Sequence, residues 1–415
     1  MDIEGIKYWK HPSKTDSVFV NKKNSPLISI DIWCKGGISF EEKDKGGTAH
    51  FLEHMIFKGC RKSLPGEFDK KIESLGGNSN ASTGYDDSHY YVLTPSANFK
   101  ESLTLLSNLV LNPNLNSKEF NQEKSVVIEE IMQYYDQPDE RIFSLFLKEV
   151  WIDHFYSKPI LGKEELVKSI SIEELRAFHT KQYVKDNICF AISGDLPTNA
   201  LEVFENCNLP FSETHNFNNT NIVPTYKPSI KNGKKIIKLK NIEFSRIFKA
   251  WQIPENKDKK LLLAFEMVAS ILCDGHNGKL IKPLKEENNL VESIYADVHS
   301  GEFGNLFIIE ICCVKKNLSI VEVILDKILK ELFLKRNVSK NEVKRASRMI
   351  NSNYIFNLET ASQLTSYFGN NLLWDRLNPH IKLKENIEHW SNIENFEDIF
   401  EYFTNDEFTL IVEKI

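Results

Sequence analysis

From Leu27 to Cys34 the side chains alternate, with Ile28, Ile30 and Ile32 on one side and Ser29 and Asp31 on the other. That period of two predicts a strand. A shorter strand-like run, Ser17 to Asn21, precedes it, and Asn24-Ser25-Pro26 turns the chain between them. Gly36-Gly37 ends the second strand, and a charged loop from Glu41 to Lys45 follows. The pattern then changes to Ala49, Phe51, Leu52, Met55, Ile56 and Phe57, a mostly apolar run that predicts a buried helix with Thr48 as its N-cap. A second helix opens after Leu64-Pro65-Gly66, places Phe68, Ile72 and Leu75 on one face, and stops at Gly76-Gly77.

Residues 76–95 begin rich in Gly, Asn and Ser and end as a strand from Tyr90 to Leu93. No Gly-Lys-Ser/Thr follows the glycines, so a phosphate cradle is discounted. The low side-chain bulk around Asn80-Ala81-Ser82 suits an edge strand, to which an extended peptide adds by backbone hydrogen bonds. Asp86 and Asp87 read as turn or surface acids, and His89 as a strand residue that hydrogen-bonds rather than binds metal. An amphipathic helix covers 98–111. Another starts at Ser117, read as its N-cap, and its pattern runs on through Phe143. Glu123 and Glu130 lie seven apart on one stripe of that helix, among Val126, Val127, Ile131 and Met132. Buried acids need a partner. Lys163 to Val167 and Ser171 to Tyr183 are helical, the latter opened by a Ser171/Glu174 capping box, and Asn187 to Ser193 is an apolar strand.

The second half repeats this layout. Arg246 to Ile253 is a strand with Trp251 where the earlier strand has Trp33, Lys260 to Leu272 is a helix, and Phe408 to Val412 is a closing strand. The expected fold class is α+β. Two homologous α/β-sandwich domains, each an antiparallel-rich sheet with helices packed on it, occupy 1–212 and 234–415, joined by a polar linker at 213–233. The first would carry the chemistry, because the second copy's helix has no histidine.

That chemistry lies at His50-Phe51-Leu52-Glu53-His54. Residues four apart share a helix face. His50 and His54 therefore aim two imidazoles at one point, with Glu53 beside them. Two neutral nitrogen ligands and a nearby base are what a catalytic zinc site needs. The order is His-x-x-Glu-His, the inverse of the common zinc-peptidase motif. On five residues alone, an ordinary core helix with two hydrogen-bonded histidines explains the pattern equally well.

Composition narrows the setting. A net charge of −6 gives no basic excess for nucleic acid. No run of apolar residues is long enough to span a membrane, and the N-terminus has neither a basic-then-apolar signal nor a transit composition. Seven cysteines, odd in number, lack a Cys-x-x-Cys pair and sit mostly in apolar surroundings. They predict buried reduced thiols and a cytoplasmic protein.

The segments GGTAHFLEHMIFKG, GGNSNASTGYDDSHYYV, EKSVVIEEI with its following Asp136-Gln137-Pro138, Gly162 within ILGKEE, and Ser193-Gly194-Asp195 together resemble the pitrilysin-type inverted-zinc metallopeptidases. That family includes insulysin and the mitochondrial processing peptidase, and the likeness is to its short bacterial members. It is dense over the first half and looser over the second. The resemblance implies one zinc per chain on His50, His54 and Glu130, with Glu53 as general base and Glu123 supporting the ligands from outside. Glu129 is the rival third ligand; it lies about 100° from Glu130 around the helix, so only one of them can face the metal. Asn80 and Ala81 match the family's peptide-binding edge strand. In the second half the family commonly has an arginine and, seven residues on, a tyrosine; here Lys285 and Glu292 stand at those places, with Tyr295 out of register. The resemblance further implies half of a clamshell, closed by a second chain of the same family. That second chain is either an identical copy or a partner without the zinc motif. A non-catalytic assembly subunit is the other reading.

Overall fold

The computed structural model describes residues 5–211, 227–254, 259–404 and 407–415. Its chain forms two compact units. The first is built on a six-stranded sheet ordered β1-β2-β6-β3-β5-β4. These strands are β1 (Ile6–Lys10), β2 (Asp16–Asn21), β3 (Leu27–Cys34), β4 (Asn78–Thr83), β5 (Ser88–Pro95) and β6 (Ile188–Gly194). The second holds a five-stranded sheet ordered β7-β11-β8-β10-β9, made of β7 (Gly233–Leu239), β8 (Ser245–Ile253), β9 (Ser293–Ser300), β10 (Asn305–Cys313) and β11 (Glu407–Lys414). Starting from the edges β4 and β9, both sheets run through three antiparallel pairings to a parallel pair, β6 with β2 and β11 with β7. The duplication expected from the order of elements is thus a repeated sheet topology.

The α-helices in chain order are α1 (Thr48–Ile56), α2 (Glu67–Ser74), α3 (Phe99–Leu111), α4 (Ser117–Asp136), α5 (Pro138–Val150), α6 (Glu164–Ser169), α7 (Ile172–Gln182), α8 (Ala200–Glu205), α9 (Lys260–Cys273), α10 (Leu318–Leu329), α11 (Lys340–Phe356), α12 (Ala361–Leu373), α13 (Pro379–Trp390) and α14 (Ile393–Glu397). Neither unit is continuous in sequence. Residues 135–158 belong to the second and 356–379 to the first. Helix α12 lies on the first sheet, where a Cβ on Gly369 would come within 2.4 Å of Trp33 Nε1. Helix α5 lies on the second, where Phe146 stacks on Phe248 with ring centroids 4.7 Å apart. Most of the expected linker, 213–233, falls outside the described residues; Gly233 opens β7.

This exchange explains a departure from the alternation in β3. Ser29 and Asp31 are buried rather than solvated, because α12 covers their face. Thr365 Oγ1 donates to Ser29 Oγ at 3.0 Å, and Ser29 Oγ donates to Asp31 Oδ1 at 2.8 Å. His89 Nε2 lies 2.9 Å from Asp31 Oδ2. Ser29, Asp31 and His89 are thus joined in one hydrogen-bonded chain with α12, as burial of polar groups demands. Asp87, read as a surface acid, accepts hydrogen bonds from Asn370 Nδ2 at 3.0 Å and Trp374 Nε1 at 3.2 Å, and Asp86 is buried.

Two helix boundaries also differ from expectation. The helix from Ser117 does not continue to Phe143. Gln137 is extended, and Pro138 begins a new helix, because proline disfavours a helical residue before it and suits a first turn. The cap of α4 is Asn116, whose Oδ1 accepts from the backbone N–H groups of Lys118 and Glu119 at 3.1 and 3.0 Å.

The start of α1 is braced by glycine on glycine. Gly162 has φ +79°, and a Cβ there would lie 2.6 Å from Gly46 O and 2.7 Å from Gly47 Cα. Both obstacles are backbone and cannot swing aside. Gly162→Ala is therefore expected to destabilise the first unit by about 3 kcal/mol. The check is urea unfolding followed by the fluorescence of Trp33 and the other tryptophans; an unchanged midpoint would show that the contact relaxes at no cost.

Candidate metal centre

Helix α1 buries Ala49, Phe51, Leu52, Met55 and Ile56 completely. That packing fixes the rotation of the helix and leaves His50, Glu53 and His54 on one shared stripe. Its N-terminus differs from the expected Thr48 cap. Gly47, at φ +96°, is the capping position, and Thr48 Oγ1 donates to Lys45 O at 2.7 Å. The free N–H groups are taken by Glu41, whose carboxylate accepts from Gly47 N at 3.1 Å and Ala49 N at 2.7 Å. A carboxylate at the positive end of a helix is stabilising.

The buried stripe of α4 comprises Phe120, Glu123, Val127 and Ile131, with half-buried Glu130 at its margin. Val126 and Met132, expected on it, are 47% and 55% exposed. Glu129 is exposed and Glu130 half-buried, so α4 turns Glu130 toward the histidines. Glu130 Oε2 lies 3.1 Å from His54 Nε2 and 3.7 Å from His50 Nε2. One ligand atom from each of the three side chains falls within a 4.8 Å set. Ligands of a tetrahedral zinc, with bonds of about 2.0–2.1 Å, stand about 3.4 Å apart. The spacing and the two-imidazole, one-carboxylate donor set both fit that ion.

Electrostatics agree. Burial and the neighbouring His54 push His50 down to about 3, so its imidazole is neutral and has a lone pair to donate. Burial pulls His54 down as well, but the hydrogen bond to Glu123 and the charge of Glu130 prevail and raise it. His54 Nδ1 donates to Glu123 Oε1 at 2.9 Å, which turns Nε2 toward Glu130, where it could serve a metal. Glu123 is buried, which raises its pKa, yet the hydrogen bonds from His54 and from Lys58 Nζ, the latter at 2.7 Å, bring it below the usual carboxylate value. The buried acid of α4 thus has two partners. His50 Nδ1 is buried without a hydrogen-bond partner among the described residues.

Glu53 lies close enough to His54 and Glu130 to feel their charges. Burial raises its carboxyl, opposed by a hydrogen bond from Thr83 and by the charge of His54. Thr83 Oγ1 donates to Glu53 Oε2 at 2.5 Å. Thr83 ends β4, which is the sheet edge and pairs only with β5. Asn80 and Ala81 lie on this strand, and Ala81 N–H is held by Asn80 Oδ1 at 2.9 Å. The edge expected at 80–82 is present, and its last residue, Thr83, reaches Glu53.

Counted from the helix start, α9 of the second unit has Leu262, Phe265 and Glu266 where α1 has His50, Glu53 and His54. Burial pushes Glu266 up to about 7, and Tyr354 Oη approaches it at 3.4 Å. No second group of three metal-capable side chains occurs among the described residues. Lys285 and Glu292 are both exposed. Sequence reasoning missed Lys58, Thr83 and Glu41. Lys58 stands four residues after His54, a spacing that offered a signal. Thr83 and Glu41 reach the site through the sheet and a loop, which no local pattern marks.

The family model described as "Insulinase (Peptidase family M16)" matches residues 17–164, and "Peptidase M16 inactive domain" matches 169–350. The chain belongs to the M16 peptidase family. An uncharacterized zinc protease of Rickettsia bellii is 24% identical over 345 residues, covering 83% of this chain and 82% of that one. The zinc protease PqqE of Helicobacter pylori is 26% identical, covering 84% and 78%. A probable mitochondrial-processing peptidase subunit beta of Arabidopsis thaliana is 29% identical over 41% of this chain and 32% of its own. The crystal structure of a protease from Helicobacter pylori superposes with a TM-score of 0.88 at 21% identity, over 99% of both chains. A chain of Complex III2 from Candida albicans superposes at 0.82 with 15% identity, over 99% and 96%. At these identities the superpositions concern the fold, which they share over its whole length. Among the described residues, no helix is long and apolar enough to cross a membrane.

Proposed function

We propose that this chain is a zinc-dependent endopeptidase that hydrolyses peptides or unfolded segments, with His50, His54 and Glu130 as metal ligands and Glu53 as general base. The observation that carries the reading is the convergence of His50 Nε2, His54 Nε2 and a Glu130 oxygen beside the Glu53 carboxylate. Zinc held there supplies positive charge that acidifies water and polarises a peptide carbonyl. The remaining work falls to the chain itself. Glu53 accepts the proton of the attacking water and returns it to the leaving amine nitrogen. Glu123, braced by Lys58, keeps the Nδ1 proton on His54. The free edge of β4 at Asn80 and Ala81 binds the peptide backbone as an added strand.

A second chain of the family, enclosing the substrate with this one, completes the enzyme in this reading. Lys285 and Glu292 stand where the family's substrate-side arginine and tyrosine are expected, so we assign this chain the zinc-bearing role in a heterodimer with a motif-less partner, rather than a homodimer. All seven cysteines are unpaired thiols, in keeping with the reducing cytoplasm. The second reading is a non-catalytic assembly or peptide-binding subunit. The likeness to a Complex III2 chain favours it, and the intact His50, Glu53, His54 and Glu130 weigh against it.

The test is cleavage of a quenched peptide library by the purified chain, with zinc measured on the same sample. The zinc-bearing role predicts bound zinc with weak turnover, rising when a motif-less relative is added. Normal turnover by a purified homodimer would overturn the heterodimer. Bound zinc with no cleavage in any pairing would favour the assembly subunit.

A further inference from the structure

Three features of β4 bear on the hydroxyl of Thr83. Backbone groups in a strand point alternately to either side. Gly84, just beyond β4, donates its N–H inward to Asp87 O at 2.8 Å, whereas Ala81 N–H is held by its neighbour's side chain, Asn80 Oδ1. By that alternation Ala81 and Thr83 both present their N–H and C=O groups to the open edge. Their side chains share the face that α1 covers, where Thr83 Oγ1 meets Glu53 Oε2 at 2.5 Å. Thr83 therefore shows its backbone to the open edge and its hydroxyl to the carboxylate. A β-branched residue at the end of a paired strand is stiff at χ1, so the hydroxyl fixes the Glu53 rotamer. It holds Oε2 and leaves Oε1 to receive a proton.

We infer that Thr83 is the positioning residue for Glu53, tying the orientation of the general base to the strand on which the peptide docks. This rests on the reading of Glu53 as the base and adds a residue that sets its geometry. Ala81 and Thr83 stand about 6.8 Å apart along the strand, so one rigid element fixes both where a peptide pairs and where the base points. An unfixed carboxylate samples poses away from the attacking water, and a misplacement of about 1 Å costs about 100-fold in rate. The bond is made before substrate arrives, so its loss falls on kcat rather than on docking.

The experiment compares Thr83→Val, Thr83→Ala and Thr83→Ser in the zinc-loaded enzyme, with its partner chain where turnover requires one. Zinc affinity by chelator competition and thermal midpoint are measured on each variant. Val and Ala are expected to lower kcat about 10- to 100-fold with KM, zinc affinity and midpoint unchanged, and Ser to restore most of kcat. In a Glu53→Gln background, Thr83→Val is expected to lower the residual rate no further, since the two residues act as one unit. Wild-type kcat in Thr83→Val alongside an inactive Glu53→Gln overturns the inference and leaves the base assignment standing. A loss confined to KM, a loss of zinc, or failure of Ser to rescue also overturns it, and marks Thr83 as a docking or structural residue. An active Glu53→Gln overturns the base assignment, and the role of Thr83 with it.

Discussion

Glu53→Gln is expected to retain one zinc per chain and lose peptide turnover by about 1,000-fold or more. Glutamine fills nearly the same volume, so α1 keeps its packing. The side-chain carbonyl can still accept from Thr83 Oγ1, so the hydrogen bond seen at Glu53 Oε2 survives. Only the ability to take up a proton disappears. The ligand atoms on His50, His54 and Glu130 are untouched, which separates this change from any that empties the site. Turnover is read with a quenched peptide and zinc by elemental analysis of the same protein. Turnover within a few-fold of wild type would remove Glu53 from the chemistry.

The second large effect concerns the metal. His50→Ala, His54→Ala and Glu130→Gln should each weaken zinc binding by well over the roughly 10- to 100-fold lost when an outer partner is removed. Glu123→Gln should fall within that smaller range, because Glu123 acts through His54 Nδ1 and does not face the ion. Glu129→Gln should change nothing, since Glu129 is exposed on α4. Chelator competition ranks the five variants. If Glu129→Gln released zinc and Glu130→Gln kept it, the ligand assignment would be wrong and α4 would have to be turned by about 100°.

Much of this site is legible in the sequence. His50, Glu53 and His54 are local, and helical spacing alone places them on one face. Glu130 is 76 residues after His54, and only the family likeness joins the two. The neighbours of Glu130 on its helix are less legible. Val126 and Met132 have apolar side chains but point to solvent, because α4 buries a narrower stripe than its composition suggests. The polar half of β3 misleads for a different reason: Ser29 and Asp31 are covered by α12, whose sequence lies at the far end of the chain. Alternation records which residues differ, not what later covers them. The apparent helix through Phe143 follows a correct apolar period across Gln137-Pro138, where proline chemistry prevails over periodicity. Strands β3, β6, β8 and β11 are legible, each within one or two residues of the apolar run that announces it, whereas β1, β7, β9 and β10 go unread in the sequence. Lys58 carries only the signal of its spacing from His54, and Thr83 carries none. Their roles exist only once β4, α1 and α4 are assembled.

The measurement that tests the central claim most directly is a zinc titration of the metal-free enzyme, followed by peptide hydrolysis and run in parallel on Glu53→Gln. The account predicts that hydrolysis rises with added zinc and levels off at one zinc per chain, while the variant binds the same zinc and stays inactive. Hydrolysis by the metal-free protein, or equal hydrolysis by the variant, would contradict it.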